Sequence, residues 1–256
     1  MVQNTQVDSY YSRLSGLQLH IPKYLFPLPF DNSSRLTYYA SFFNSIEINS
    51  LFYKILQAAT VVKWAASVSD DFKFTFNLWK GITHNQGLNF NKEDVAVFLN
   101  SINAAKKKKG CLFIQFPPNL GREYKDQLNS LLSCIAQNTI QCWMVAVEFR
   151  NKSRYQDNVY ELLNSFKVEI VIQDIPKSAT PLLDHTSDFL YIRLHGPTGN
   201  YRESYSEEFL NEYSTYLIVW IEEGKTVYVY FNNTIRDVFQ NLKTLNTLFQ
   251  DKLRVI

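Results

Sequence analysis

The chain has 256 residues and a mass of 29.9 kDa, and 46% of its residues are hydrophobic and 15% aromatic. Its 26 Lys and Arg residues against 24 Asp and Glu residues leave a formal net charge of +2. This balance excludes a strongly basic nucleic-acid coat and an acidic disordered tail. The length accommodates one large domain or two small ones.

The cysteines and the apolar runs indicate where the protein resides. Cys111, Cys134 and Cys142 show no CxxC or Cys/His metal spacing, which argues against a secreted disulfide scaffold and favours a reducing cytoplasm. The polar N-terminus lacks the pattern of a signal peptide. No apolar run approaches the roughly 20 residues that span a bilayer. We therefore expect a soluble cytoplasmic protein without a membrane partner.

Short runs rich in Val, Ile, Phe and Tyr alternate along the chain with segments of helical apolar spacing. The runs predict strands at residues 16–20, 45–49, 72–76, 111–116, 144–150, 169–173, 189–195 and 226–231. Between them, helical faces are predicted around residues 95–102, 128–135, 159–166 and 238–248. The connection over 175–188 shows no convincing helix.

Eight strands alternating with helices predict a parallel sheet covered by helices. Several strands are apolar throughout, as expected for burial on both faces. With this length, the best fit is one (β/α)8 TIM-type barrel over residues 1–256, with a degenerate or missing helix between strands six and seven. An open doubly wound sheet is the alternative, weakened because residues 16–20 do not form the GxGxxG turn.

Nearly every predicted strand ends in a polar or charged residue. These residues are His20, Glu47, Asn49, Asn77, Gln115, Glu148, Arg150, Asp174, Arg193, His195, Asn232 and Asn233. In a barrel, the carboxyl ends of the strands meet around one rim, where barrel enzymes hold their active sites. Three pairs (47/49, 148/150 and 193/195) are two residues apart, so both members point to the same side of the strand.

An ordered set of segments resembles the YecE-like family, known as domain of unknown function 72. The matching segments are residues 43–53, 82–84, 110–118, 145–150, 174–176, 191–196 and 227–233. The resemblance implies a TIM-type barrel and supplies no established reaction. The chain departs from the family at residues 16–21, where a Gly-Thr-Ser-Gly-Trp-like strand is usual, at Asn77, where a lysine is common, and at Arg154, where a tryptophan is usual.

Glu148, His195 and Asp174 are the candidate catalytic residues. Glu148 or His195 would transfer a proton, while Arg150 and Arg193 would hold a phosphate or carboxylate. The structural alternatives are a partly buried ion pair for Glu148 with Arg150 and a histidine bonded to a neighbouring carbonyl for His195.

Further candidates for substrate binding follow other strands. They are Glu47, Asn49, His84, Gln115, Asn232 and Asn233. His84 could equally be a cap or turn residue, and the two asparagines could simply suit a tight strand exit. Four aromatic residues could stack on a ligand, and the alternative is that each packs against neighbouring side chains of the protein. They are Tyr53, Trp79, Tyr201 and Tyr205.

A divalent metal ion is a candidate cofactor. Glu47, Glu148, Asp174 and His195 have suitable ligand chemistry for Mg, Mn or Zn, although no HxH or HExxH spacing is present. The lysine run 106–109 before Gly110 could bind nucleic acid. The favoured interpretation is a solvated helix end with Gly110 as its cap.

The favoured function is an enzyme, a hydrolase or isomerase, that acts at the rim on an anionic small molecule such as a phosphorylated sugar or nucleotide. One alternative is a barrel that processes phosphodiesters or nucleic acid, which the near-neutral charge disfavours. The other is a non-catalytic barrel that binds a metabolite or a partner protein. The sequence specifies neither the reaction nor the oligomeric state.

Overall fold

The computed structural model describes residues 9–138, 143–181, 187–233 and 238–254; Cys142 lies outside them. The strands in these ranges are β1 (Tyr10–Leu14), β2 (Ser45–Ile48), β3 (Lys73–Asn77), β4 (Lys109–Phe116), β5 (Met144–Phe149), β6 (Val168–Ile170), β7 (Ile172–Gln173), β8 (Phe189–Leu194) and β9 (Thr226–Phe231). The α-helices are α1 (Arg35–Ala40), α2 (Ala58–Ala66), α3 (Lys80–Thr83), α4 (Lys92–Asn103), α5 (Lys125–Asn138), α6 (Asp157–Ser165), α7 (Glu207–Glu222) and α8 (Val238–Leu253).

The chain divides into two compact units. The central unit is Ser15–Val168, and the terminal unit is Met1–Leu14 with Glu169–Ile256. The central unit contains parallel strands in the order β2-β3-β4-β5, and β6 begins at its last residue. The terminal unit contains parallel strands in the order β1-β9-β8-β7.

The predicted α/β class with parallel strands is confirmed. The described strands form two sheets, and neither sheet closes on itself, so a complete barrel is not established. Residues 174–181 and 187–188 contain no helix, in agreement with the expectation for this connection, and 182–186 lie outside the described residues. The predicted sixth strand is broken at Val171 into β6 and β7.

The apolar spacing in the sequence correctly predicted helices α4 and α5. In α4, Val95, Phe98, Leu99 and Ile102 are buried, and the side chain of Asn91 accepts a hydrogen bond from the backbone of Glu93 at the first turn. The predicted apolar residues of α5 are likewise buried. Each of these helices therefore buries the face that its apolar spacing predicts.

The predicted first strand was wrong. Residues 16–20 alternate apolar and polar side chains, yet they contain no strand, and β1 lies upstream at Tyr10–Leu14. Gly16 has a φ of +83°, a left-handed conformation that ends extended structure, and its N–H donates to the carbonyl oxygen of Glu47 (3.1 Å). His20 is consequently exposed beyond the strand rather than at its end.

Replacing Gly16 with alanine is expected to lower the free energy of unfolding by about 1–2 kcal/mol, because an L residue is strained at positive φ. Space is available, since the atom nearest to an added Cβ is Asn49 Nδ2 at 3.9 Å. Urea unfolding measures the loss. Gly16→Asn serves as the control and should lose less, because asparagine tolerates this conformation better; equal losses would argue against backbone strain.

The lysine run was predicted to end the helix before it, but one of its lysines instead bonds to the C-terminal end of α2. Helix α4 already ends at Asn103, and Gly110 lies inside β4 instead of capping a helix. Lys108 is buried, and its ammonium donates to the carbonyls of Ala65 (2.6 Å) and Val68 (2.7 Å) at the end of α2. Lys107 pairs with Asp70. The helices in the described ranges are all too short or too polar to cross a membrane.

Candidate functional site

A hydrogen-bonded network surrounds Glu47 at the carboxyl end of β2 in the central unit. The carboxylate is fully buried, and its Oε1 accepts from the hydroxyl of Ser15 (2.5 Å) and from Nδ2 of Asn49 (3.1 Å). The same Asn49 nitrogen lies 2.8 Å from Ser15 Oγ, and Asn77 donates to Asn49 Oδ1 (3.3 Å). Glu47 and Asn49, predicted two residues apart on one side of the strand, therefore do come together.

A cavity of about 750 Å³ opens onto this network. Glu47 is the one carboxylate among its described lining residues, and Lys23 and Arg35 supply two cations. The lining residues are Gly16, Leu17, Lys23, Ser34, Arg35, Leu36, Glu47, Ile48, Asn49, Ser50 and Trp64. The volume is within the range of small-molecule sites. We call this space the Glu47 cavity.

Glu148 and Arg150 form an ion pair at the end of β5. Arg150 Nε donates to Glu148 Oε1; the Glu148 side chain is fully buried and that of Arg150 is 13% exposed. Gln115, half-buried on β4, lies opposite Glu148 in the register. The geometry matches the partly buried ion pair considered from the sequence, and substrate binding by Arg150 and Gln115 stays a prediction.

His84 lies at the C-terminal end of α3. Its ring packs edge-on against Phe52, and its Nδ1 is 2.8 Å from Thr83 Oγ1. Burial, followed by the nearby Lys80 ammonium, lowers the pKa of the imidazole. This position agrees with the cap residue that the sequence offered as an alternative, and a binding role stays a prediction.

Asp174 and His195 meet in the terminal unit, next to Arg193. Asp174 Oδ1 accepts from the backbone N–H of His195 (2.8 Å) and lies 3.1 Å from its Nδ1, while His195 Nε2 is 3.3 Å from Arg193 Nη1. A guanidinium can only donate, so Nε2 must accept and Nδ1 must carry the proton. These contacts fix the orientation of the ring between Asp174 and Arg193.

Tyr205 completes this cluster. Its hydroxyl donates to Asp174 Oδ2 and accepts from the N–H of Gly196 (2.6 Å). Burial, followed by the charge of Asp174, raises the pKa of the tyrosine far above its ordinary value. The ring stacks on Phe209. Of the two roles considered for this tyrosine, packing agrees with the structure, and the bond to Asp174 had no signal in the sequence.

The asparagines after β9 differ in their surroundings. The backbone N–H of Asn232 donates to the carbonyl of Leu194 (2.7 Å). Asn233 is buried, and its Nδ2 donates to the carbonyl of Glu203 (2.8 Å) and to Asn241 Oδ1 (3.0 Å). Both asparagines thus stabilise the strand exit, as the structural alternative expected; ligand binding stays a prediction.

The four candidate metal ligands are divided between the units. Glu47 and Glu148 belong to the central unit, and Asp174 and His195 to the terminal unit. Across residues 9–138, 143–181, 187–233 and 238–254, no group of three or more His, Cys, Asp or Glu side chains is arranged to hold a metal ion.

Several residues of the Glu47 network and of the adjoining cavity were not singled out from the sequence. Ser15 follows β1, whose position was mispredicted, so its polar side chain was not recognised at a strand end. Lys23 begins a short 3-10 helix (Lys23–Leu25), and Arg35 and Trp64 belong to helices α1 and α2. The strand-end pattern carries no information about such residues.

Arg154 occupies the position at which the sequence departs from the family's tryptophan. The side chain is fully buried; Nε donates to the carbonyl of Leu120 (3.2 Å) and Nη2 to that of Tyr124 (3.3 Å). The guanidinium lies 5.8 Å from the ring centre of Phe149. Burial lowers its pKa to about 10. The contacts of Arg154 are therefore those of a buried side chain that holds backbone carbonyls of the central unit in place.

The model of the family described as "Protein of unknown function DUF72" matches residues 18–255. The chain belongs to this family. The DUF72 chain is 27% identical over 240 residues to the UPF0759 protein YunF of Bacillus subtilis, covering 82% of this chain and 84% of that protein. It is 29% identical over 83 residues to the UPF0759 protein YecE of Escherichia coli K12, covering 32% of this chain and 30% of that protein.

Two solved structures of DUF72 family proteins resemble this DUF72 chain in fold. The protein from Enterococcus faecalis V583 has a TM-score of 0.77 at 21% identity, covering 94% of this chain and 95% of that one. The protein from Thermotoga maritima MSB8 has a TM-score of 0.75 at 24% identity, covering 96% and 99%. The expected YecE-like membership is thus confirmed, and the family carries no assigned activity.

Proposed function

We propose that this protein is an enzyme that binds a small anionic metabolite, a phosphorylated sugar or a nucleotide-like compound, in the Glu47 cavity. The observation that carries the proposal is the lining of this cavity, which combines a fully buried carboxylate with the cations Lys23 and Arg35. We include in this proposal the hydrolase or isomerase activity expected from the sequence. We also include the single (β/α)8 barrel, which the parallel strand pairing within each unit supports.

The lining residues of the cavity carry charges of both signs. A phosphate would be attracted to Lys23 and Arg35 and repelled by Glu47, so the anionic end of the ligand would lie at the cations. A guanidinium suits this task because it can donate two parallel hydrogen bonds to phosphate. The other end of the ligand would then face Glu47, where Ser15 and Asn49 hold the carboxylate in one orientation.

Glu47 is the group to which we assign proton transfer. The support for this assignment is that Glu47 is the carboxylate among the described lining residues of the cavity, whereas Glu148, Asp174 and His195 do not line it. Proton transfer by a positioned carboxylate serves both hydrolysis and isomerisation. The acid–base roles expected for Glu148, Asp174 and His195, and anion binding by Arg150 and Arg193, remain alternative proposals.

Binding of inorganic phosphate and ribose 5-phosphate, followed by calorimetry, tests the anion site. Arg35→Ala is expected to weaken the binding of ribose 5-phosphate by about tenfold or more, because a charge-assisted hydrogen bond is lost. Arg122→Ala is the matched control, since Arg122 is exposed and does not line the cavity. Equal affinities of the wild type and Arg35→Ala, or the absence of binding, would refute the proposal.

A further inference from the structure

Helix α7 of the terminal unit carries aromatic side chains along one side. They recur at spacings of three or four residues, which place them on one face of the helix. The centres of successive rings lie 4.6, 6.0 and 5.9 Å apart, so the rings form a continuous row. We call this row the α7 aromatic stripe. Its members are Phe209, Tyr213, Tyr216 and Trp220.

Helix α8 packs against the opposite side of α7. The ammonium of Lys252 in α8 donates to the carbonyl of Asn211 (2.7 Å) and to Thr215 Oγ1 (2.6 Å). At 3.6 residues per turn, Asn211 and Thr215 lie more than a quarter turn from every member of the stripe. The described elements with extensive contacts to α7 are α8 and β9. The α7 aromatic stripe therefore faces away from α8.

The place beside this side of α7 holds no helix among the described residues. In the strand order β1-β9-β8-β7, α7 follows β8 and α8 follows β9, so the side of α7 away from α8 is the side toward β7. Parallel strands are usually joined through a helix, but the described parts of the connection from β7 to β8, 174–181 and 187–188, contain none. Ile172 of β7 is half-buried, whereas Ile192, its partner in the register, is fully buried.

The outer edge of the stripe is exposed and acidic. Tyr216 is 42% exposed and Val219 is 45% exposed. The carboxylate of Glu212 accepts a hydrogen bond from the Tyr216 hydroxyl (2.5 Å). Residues 207–223 contain five glutamates and no lysine or arginine. Helix capping does not explain all of this charge, because Glu222 ends the helix, where the helix dipole favours a cation.

The chemistry of this surface defines a complementary partner. Aromatic rings bury apolar side chains and stack on guanidinium groups. The glutamates attract cations, and they would repel a nucleic acid or an anionic membrane. The space beside α7 that the described residues leave without a helix suits another helix. A helix with one apolar and one basic face presents both kinds of side chain at once.

We propose that the α7 aromatic stripe, with its acidic edge, is a docking surface for a basic amphipathic helix of a partner protein. The arginines of this helix would pair with the glutamates and stack on the aromatic rings, while its apolar side chains contact Val219 and Trp220. The proposal is independent of the Glu47 cavity, whose lining residues belong to the central unit.

Fluorescence anisotropy with the full chain and two labelled helical peptides tests the proposal. One peptide carries leucines on one face and arginines on the other, and the second has glutamate in place of each arginine. The arginine peptide is expected to bind at least about tenfold more tightly, because the glutamate peptide is repelled by the acidic edge. Tyr216→Ala and Val219→Ser should each weaken its binding by about fivefold or more, since they remove exposed apolar contacts.

Matched variants on other helices serve as controls. Val97→Ser changes an exposed valine of α4 and should leave peptide binding unaltered. Glu212→Lys should weaken the binding of the arginine peptide, whereas Glu161→Lys, an exposed change on α6, should affect it less. Circular dichroism checks that each variant is folded, and either Val219→Ser or Tyr216→Ala alone suffices for the comparison.

Three outcomes would overturn the proposal. The first is that neither peptide binds, or that both bind equally well. The second is that Val219→Ser and Val97→Ser have the same effect on the arginine peptide. The third comes from sedimentation velocity of the chain alone: a dimer that dissociates in Val219→Ser would assign the surface to a second copy of this chain.

Discussion

Replacing Arg150 with methionine is expected to lower the free energy of unfolding by about 3 kcal/mol or more, because it removes a cation that pairs with a buried carboxylate. The Glu148 side chain is fully buried, and Arg150 Nε donates to it. Methionine retains much of the arginine's length and apolar contact, so the loss reports mainly on charge. Urea denaturation followed by circular dichroism measures it.

Two further variants distinguish the cost of losing the cation from a general loss of packing. Adding Glu148→Gln to Arg150→Met also removes the buried negative charge and should restore a large part of the stability. Lys107→Met removes one member of an exposed ion pair with Asp70 and should change stability little. If the double variant is as unstable as Arg150→Met, the explanation from the buried charge is wrong.

Asp174→Ala is expected to cost about 3 kcal/mol, since three donors lose their acceptor and buried unpaired donors are each unfavourable. The donors are the backbone N–H and the Nδ1–H of His195 and the hydroxyl of Tyr205. His195 is fully buried, so water cannot easily replace the carboxylate at its ring. Chemical unfolding of the purified variant gives the value.

Graded substitutions check that the hydrogen bonds are responsible. Asp174→Asn keeps one acceptor oxygen and should lose less stability than the alanine variant. Tyr205→Phe should fall between the wild type and Asp174→Ala, because it removes the hydroxyl that joins Asp174 to the Gly196 N–H. Tyr216→Phe, which removes an exposed hydrogen bond to Glu212, is the control and should change little. Equal stability of all four variants would contradict the proposed role of Asp174.

Apolar periodicity predicted the helices and strands that bury apolar side chains. It failed where polar side chains are buried. The apolar face of α4 and the apolar strands β4 and β5 lie where the spacing indicates. β1 was missed because it carries Ser12 and Arg13, which are buried despite their polarity. Residues 16–20 look more like a strand, but the positive φ of Gly16 prevents one. A single backbone conformation thus outweighed an alternating pattern.

The same limit applies to the candidate site. Glu47 with Asn49 and Glu148 with Arg150 were predictable as pairs, because side chains two residues apart share one side of a strand. The hydroxyl partners of Glu47 and Asp174 were less accessible to sequence reasoning. Ser15 and Tyr205 approach from segments distant in sequence, and no local pattern specifies which carboxylate a distant hydroxyl will reach.

Trp64 gives the Glu47 cavity an optical property. The indole lines the space in which we propose that a ligand binds, and indole emission responds to the polarity and quenching groups of its surroundings. The chain has four tryptophans, and Trp64 is the one that contributes to this lining. Intrinsic fluorescence can therefore follow occupancy of the cavity without a label, and a Trp64→Phe variant identifies the part of the signal that originates there.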